Sequence, residues 1–319
     1  MKKRIITLLT SAVFSILLLS GAACTASEPQ DKNYSSSSEI NNTEKIIITE
    51  TTAKPELNID LSDINSQYAV ILDAQTGEVI AEKNGDASIF PASMTKIMTA
   101  ILAIENFSDL NTYVTVPSDA IISAANRGGS LAGFYGGETV TPMDLIYGIL
   151  LPSGCECSIA VGMLISGSEE AFVELMNQKA QELGMTETHF DNATGLHTEN
   201  HYSTAHDMAK LMLYASSNEI FRQIDTTPSY ITSGGKTLTS TMFSNINIIY
   251  GNTDVIGGRI LGGKTGTTNE AGSCLCSFAE LFGKEYILCT ANAAYSGLNV
   301  SDAKTIYNRL GNALSLSYT

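Results

Sequence analysis

The sequence predicts an α+β fold in which one antiparallel sheet is formed by both chain ends and a helical lobe is inserted between them. Three observations predict it: a strand–turn–strand pattern near each end, mostly helical pattern in between, and an amphipathic last segment. Residues 68–74 and 78–82 are apolar runs flanking Gln75-Thr76-Gly77, which reads as a β-hairpin. Residues 273–281 and 285–293 form a similar pair around Phe282-Gly283-Lys284. Between them, helical periodicity covers 93–105, 142–151, 153–166, 169–183 and 205–215. In 301–314, Ile306, Leu310, Ala313 and Leu314 recur at helical spacing, a stripe suited to packing on the sheet. Strands at the ends and helices in the middle are the pattern of a segregated α+β domain.

The organisation around this domain is read from composition. Met1-Lys2-Lys3-Arg4 followed by an uncharged stretch up to Glu28 has the basic, apolar and small-residue regions of a secretory signal peptide, taken as residues 1–24. An uncleaved anchor is the plainer alternative. Leu19-Ser20-Gly21-Ala22-Ala23-Cys24 is similar to a bacterial lipoprotein site, with lipid on Cys24, although Gly21 stands where an aliphatic residue is usual. Ordinary cleavage, for instance after Ala26, stays open. Residues 25–63, with Ser35-Ser36-Ser37-Ser38 and a Thr-rich stretch up to Pro55, read as a flexible tether, which leaves 64–319 as the folded domain. The formal charge of −15, or −18 without Lys2, Lys3 and Arg4, argues against nucleic-acid partners and against a polybasic membrane patch.

Metal readings are weak. With Cys24 removed or lipidated, Cys155, Cys157, Cys274, Cys276 and Cys289 remain, an odd number that cannot all pair within one chain. Their C-x-C spacing is shorter than structural zinc sites use, so small buried side chains on two strands and a helix are the reading adopted. His189, His197, His201 and His206 cluster in a loop-rich segment, and His197 and His201 have an i, i+4 spacing, but neither feature is taken as a metal site.

Three short motifs carry the chemistry: Ser93-Met94-Thr95-Lys96, Ser153-Gly154-Cys155 and Lys264-Thr265-Gly266. A serine hydroxyl is a weak nucleophile at neutral pH and needs a base within hydrogen-bond reach. If Ser93 opens a helix, Lys96 stands one turn along on the same face and can be that base. Helix-start N–H groups would help stabilise an oxyanion. Lysine is a base only when neutral, so burial and a second cation must depress its pKa, and Lys264 is the candidate cation. Ser153 precedes a predicted helix, where it is either an N-cap or a relay that protonates a departing amine. The 262–268 stretch combines a cation, hydroxyls and flexible backbone, as suits an edge strand approached by a peptide ending in a carboxylate.

Together these motifs resemble those of penicillin-binding proteins and class A β-lactamases. With Phe172 to Ala180, Leu183 to Phe190, Thr194-Gly195-Leu196-His197 and Ser203 to Ala209, the chain looks like a low-molecular-mass penicillin-binding protein of the D-alanyl-D-alanine carboxypeptidase family, from about Tyr68 to the last helix. The resemblance implies a β-lactamase/transpeptidase-like fold and removal of the terminal D-alanine from peptidoglycan stem peptides. It implies that Ser93 attacks, Lys96 takes its proton, Ser153 protonates the leaving D-alanine, and Lys264 and Thr265, with Gly266, hold the terminal carboxylate. The N–H groups of Ser93 and Thr267 would form the oxyanion hole, β-lactams would be covalent inhibitors, and no metal or organic cofactor is implied. The family's second motif usually ends in asparagine, and here Cys155 stands in that substrate-binding position. Many members also carry a C-terminal β domain and anchoring helix, which this chain does not show. That implies action outside the cytoplasmic membrane with attachment through the N-terminus. Two other readings stand beside this one: a class A-like β-lactamase, for which Glu169, Glu170 or Glu174 would have to activate water, and a non-catalytic penicillin-binding sensor or wall-interaction protein.

Overall fold

The computed structural model describes residues 57–317. The signal peptide read at 1–24, Cys24 and the tether up to residue 56 lie outside the described residues. The chain begins with β1 (Tyr68–Asp73) and β2 (Val79–Lys83), followed by a short 3₁₀ turn over Ala92–Thr95 and by α1 (Lys96–Asn106). Next come β3 (Val114–Thr115), α2 (Ser118–Asn126), β4 (Thr139–Val140), α3 (Pro142–Leu150), α4 (Cys155–Ser166), α5 (Glu169–Glu182), α6 (Ala205–Ser217) and α7 (Glu219–Asp225). The hairpin β5 (Ser229–Ile231) and β6 (Thr237–Thr239) leads to α8 (Thr241–Tyr250), β7 (Asp254–Val255), β8 (Gly258–Thr268), β9 (Gly272–Leu281), β10 (Lys284–Ala293) and α9 (Leu298–Ser317).

The main sheet has the order β2-β1-β10-β9-β8-β7 and its pairings are antiparallel. Strand β1 joins β10 in the register Tyr68 to Ala291 through Asp73 to Tyr286, so both chain ends meet in the middle of the sheet as the sequence predicts. Side chains alternate across the strands. Val70, Leu72, Cys276, Phe278, Ile287 and Cys289 face the helical lobe, in one core with α1, α3, α4 and α6. Ala69, Ile71, Leu275, Ala279, Tyr286 and Leu288 face the other way, against Val300, Ile306, Tyr307 and Leu310 of α9. The five described cysteines are free and buried, two of them on the helix α4 and three on β9 and β10.

The helix starts are written in the local sequence. Thr141 and Asp144 form a reciprocal capping box around Pro142, and Ser168, Thr204, Asn218 and Ser240 cap α5, α6, α7 and α8. The sequence pattern predicts no helix over 118–126, 219–225 or 241–250. Helix α8 is rich in Ile and Asn, which are indifferent helix formers, and it is held by burial of Met242, Phe243 and Ile246. The tether boundary also differs. Residues 57–63, expected within the tether, bury Ile59 and Leu61 in the α9 core. No helix of the described residues is long and apolar enough to cross a membrane.

One carboxylate ties this entry segment to the last helix. Asp302 of α9 accepts from Asn65 N (3.0 Å) and Nδ2 (2.8 Å) with one oxygen, and from Ser66 N and Oγ (both 2.6 Å) with the other. Ser66 is fully buried, so its two donors have no water to turn to, whereas Asn65 is exposed. Asp302→Ala should cost about 3 kcal/mol and lower Tm by roughly 6–12 °C in thermal unfolding followed by circular dichroism. A variant that melts with the wild type would show that the clasp carries no stability.

Candidate active site

The site is assembled where the 3₁₀ turn, the start of α4, β8 and the 192–195 loop converge. Ser93 lies in the turn over Ala92–Thr95, one turn ahead of α1, and so does not open the α-helix as the sequence analysis expected. The preceding Ala92 has φ of +47°, a region costly for a residue with a Cβ. Neighbouring backbone leaves it little choice. Gly195, at φ +79°, runs so close that a Cβ there would stand 1.9 Å from Ala92 O. Asn192 shapes that loop by accepting from Thr194 N, Thr194 Oγ1 and Gly195 N at 3.1, 2.8 and 2.8 Å.

Lys96 is fully buried, and its Nζ has three neighbours: Ser93 Oγ at 2.9 Å, Thr194 O at 2.7 Å and Cys155 Sγ at 3.4 Å. Burial pushes its pKa down from the ordinary lysine value, opposed by weaker interactions with Cys155, Glu156 and Cys157. A neutral amine has two hydrogens and one lone pair. As an ammonium Lys96 donates to all three neighbours; once neutral it keeps two hydrogens for the carbonyl and the sulfur and can turn its lone pair to the serine hydroxyl.

The second buried lysine is Lys264, on β8 just beyond a bulge between Ile260 and Gly262. Its Nζ donates to Ser153 Oγ (2.9 Å) and to Thr265 O (2.8 Å). Burial first, and the charge of Lys96 second, pull its pKa down to about 7. Lys96 is depressed by burial first, and repulsion between the two amines, where both are charged, is felt by both. Ser153 is not an N-cap. Helix α4 starts at Cys155 with Gly154 as its cap residue, and Ser153 sits before it at φ +67° with its hydroxyl on Lys264. Its carbonyl accepts from Ser130 Oγ at 2.5 Å, while Cys155 N donates to Ser130 O at 2.7 Å.

Strand β8 brings the third motif against the first. A Cβ at Gly266 would stand 2.9 Å from Ser93 N, so glycine is what lets the strand pass this close. Beyond Arg259, β8 pairs with β9 alone, because β7 reaches only Gly258 and Arg259. The 264–268 edge is therefore open next to Ser93. Thr265 is largely buried and Thr267 is exposed there.

Several supporting residues carry no motif. Glu156, fully buried, accepts from Ala132 N (2.6 Å), Gly133 N (2.8 Å) and Phe134 N (3.4 Å), and so fixes the loop that bears Ser130. Thr194 contributes through its carbonyl, which sequence patterns do not mark. His201 is buried beneath the turn: Asp191 N donates to its Nδ1 (3.0 Å), so the proton is on Nε2, which donates to Thr95 Oγ1 (2.7 Å). The other histidines are held separately. His189 contacts Asn200 O, His206 lies between Asp86 and Glu82, and His197 meets the edge of Phe90. Among the described residues no group of His, Cys, Asp and Glu is arranged to hold a metal. Glu169 is committed to Arg127 (2.7 Å) and Ala193 N (3.0 Å), while Glu170 and Glu174 are exposed.

Comparison with known proteins matches this geometry to a family. A family profile described as D-alanyl-D-alanine carboxypeptidase, peptidase S11, covers residues 49–294. The chain belongs to that family. It is 34% identical to a D-alanyl-D-alanine carboxypeptidase of Streptomyces sp. (strain K15) over 248 residues, which are 73% of this chain and 82% of that protein. It is 42% identical over 144 residues to the D-alanyl-D-alanine carboxypeptidase DacF of Bacillus subtilis (strain 168), 45% of this chain. That match spans only 37% of DacF's length. The crystal structure of the Streptomyces K15 DD-transpeptidase superposes with a TM-score of 0.70 at 28% identity, covering 78% of this chain and 98% of that one. The fold is therefore of the transpeptidase type that the motifs implied.

His201 yields a pH test of the site's foundation. Burial lowers its pKa from 6.5 to about 3, so the folded protein favours the neutral ring. That preference is fully present above about pH 6.5 and is lost as pH falls toward 3, at up to about 1.4 kcal/mol per unit. Denaturant unfolding should show stability declining below pH 6.5, and His201→Gln should flatten that decline. An unchanged slope in the variant would remove His201 from the acid response.

Proposed function

We propose that this protein is a serine D-Ala-D-Ala carboxypeptidase that removes the terminal D-alanine from peptidoglycan stem peptides through an acyl-enzyme on Ser93. The observation that carries the reading is the Lys96 amine, buried with Ser93 Oγ at 2.9 Å and, among the described residues, hydrogen-bonded to no carboxylate. As Ser93 Oγ bonds to the carbonyl carbon between the two D-alanines, its proton passes to Lys96. The N–H groups of Ser93 and Thr267 would take the developing oxyanion, in keeping with the close pass of Gly266. Ser153, held by Lys264, passes a proton to the leaving nitrogen as the C–N bond breaks. Water then releases the shortened peptide and restores the Ser93 hydroxyl.

The open edge of β8 suits an extended peptide, and Lys264 and Thr265 with Gly266 suit its terminal carboxylate. A β-lactam presents a similar carboxylate and a reactive carbonyl, so it should acylate the same serine. Cys155 takes the substrate-binding place usually held by an amide, where it offers Lys96 a weaker contact. Glu169 is tied to Arg127 and Ala193 N, which favours the peptidase over a class A-like β-lactamase. Export by the 1–24 segment, action outside the cytoplasmic membrane and attachment through lipid on Cys24 belong to the same proposal.

A defined stem peptide ending in D-Ala-D-Ala should lose one D-alanine on incubation with the purified domain, seen by mass spectrometry. Ser93→Ala should abolish both that release and labelling by a fluorescent penicillin; equal labelling would remove Ser93 from its role. Lys96→Ala should slow acylation by roughly 10²–10⁴-fold. Cys155→Ala, which removes the longest of the three contacts, should slow it by less than about tenfold. Equal losses in these two variants would show that the amine is not the base.

A further inference from the structure

Asp225 closes helix α7 and packs under β8, outside the three motifs. Its carboxylate is buried, and Oδ2 has no hydrogen-bond partner. A Cβ at Gly262 would stand 2.9 Å from that oxygen, so the carboxylate occupies the space left by the missing side chain. Gly262 and Lys264 are two residues apart on one strand and share a face. The Gly263 N–H also donates to the carboxylate. An acid buried this far is tolerated either protonated or, when charged, beside compensating charge. Arg222, one turn earlier on α7, is not that charge, because its guanidinium is bound to Glu285 and lies over the Phe278 ring. From β9 the facing group is Cys276, whose thiol is pushed well up by burial and stays neutral. Lys264 remains as the nearby cation. Around Lys264 itself stand Lys96 from α1, Cys155 from α4 and Asp225 from α7.

We propose that Asp225 is a positioning residue for the reaction: its buried carboxylate supplies the negative charge that keeps Lys264 cationic, and so able to hold a substrate carboxylate, in a pocket shared with a second lysine. The inference rests on the reading of Lys264 as the carboxylate site. A charged Lys96 acts against that cation and a charged Asp225 acts for it. Burial raises the pKa of Asp225 to about 7, and the Lys264 charge works the other way. Below that pH the acid is protonated and contributes no charge; above it the acid is charged and opposes loss of the Lys264 proton, which burial brings into the same range, about 7.

The test is the second-order rate of acylation by benzylpenicillin, measured from acidic to alkaline pH for wild type and Asp225→Asn, with KM and kcat for a D-Ala-D-Ala peptide. The two profiles should coincide on the acid side, where the wild-type carboxyl is itself neutral. On the alkaline side the variant should fall about tenfold, its limb moving about one unit lower, with the loss in KM rather than kcat. A loss equal at every pH would mark Asp225 as merely structural and overturn the inference. If the amide variant does not fold, Asp225→Ser takes its place in the same comparison. A wild type that takes up no penicillin would overturn the acyl-enzyme reading and this inference with it. A wild type that acylates while the variant keeps its profile overturns this inference alone.

Discussion

Two lysine amines withdrawn from water in one pocket are the constraint on which the rest of the site depends. Burial makes the ammonium form expensive, and a second ammonium nearby makes it more so. The structure answers by giving each amine fixed neutral partners: Ser93, Thr194 and Cys155 for Lys96, and Ser153 and the Thr265 carbonyl for Lys264. Depressed basicity, which would be a defect in a structural lysine, is what a serine nucleophile needs from its neighbour.

Holding those partners requires rigid backbone drawn from distant parts of the chain. The 192–195 loop is shaped by Asn192, locked against Ala92 by the bare Gly195, and further tied by Thr99 Oγ1 to Ala193 O at 2.7 Å. The loop before α3 is fixed by Glu156 from inside α4. Strand β8 passes the nucleophile at Gly266 with its edge open. Positive φ at Ala92 and Ser153 places backbone strain on either side of the two lysines, where surrounding contacts over-determine the conformation.

Much of this was legible in the sequence, and what was not has physical reasons. The two hairpins, the central helices and the three motifs follow from period-2 alternation, helical periodicity and residue chemistry that act locally. The 3₁₀ turn under Ser93 does not, because its backbone packs against Gly195, about a hundred positions away, a contact local patterns do not show. Helix α8 was not legible because its Ile and Asn content is helical only by tertiary packing. An N-cap stayed open beside the relay reading of Ser153 because its partner, Lys264, lies 111 residues along the chain. Thr194 acts through its backbone carbonyl and Glu156 binds only backbone N–H groups, neither of which leaves a side-chain pairing to read, and residues 57–63 looked polar enough for a tether until Ile59 and Leu61 found α9.

The central claim is that the fold, by removing Lys96 from water, lowers its pKa and so fits its amine to take the Ser93 proton. Its most direct test is a pH titration of the folded protein with ¹³Cε-labelled lysine, the Lys96 resonance being assigned by its loss in Lys96→Arg. The account expects that resonance to titrate below the ordinary lysine value of 10.5, the ammonium form being disfavoured by burial. A Lys96 signal that stays protonated up to or beyond the ordinary value would contradict it and leave Ser93 without its base.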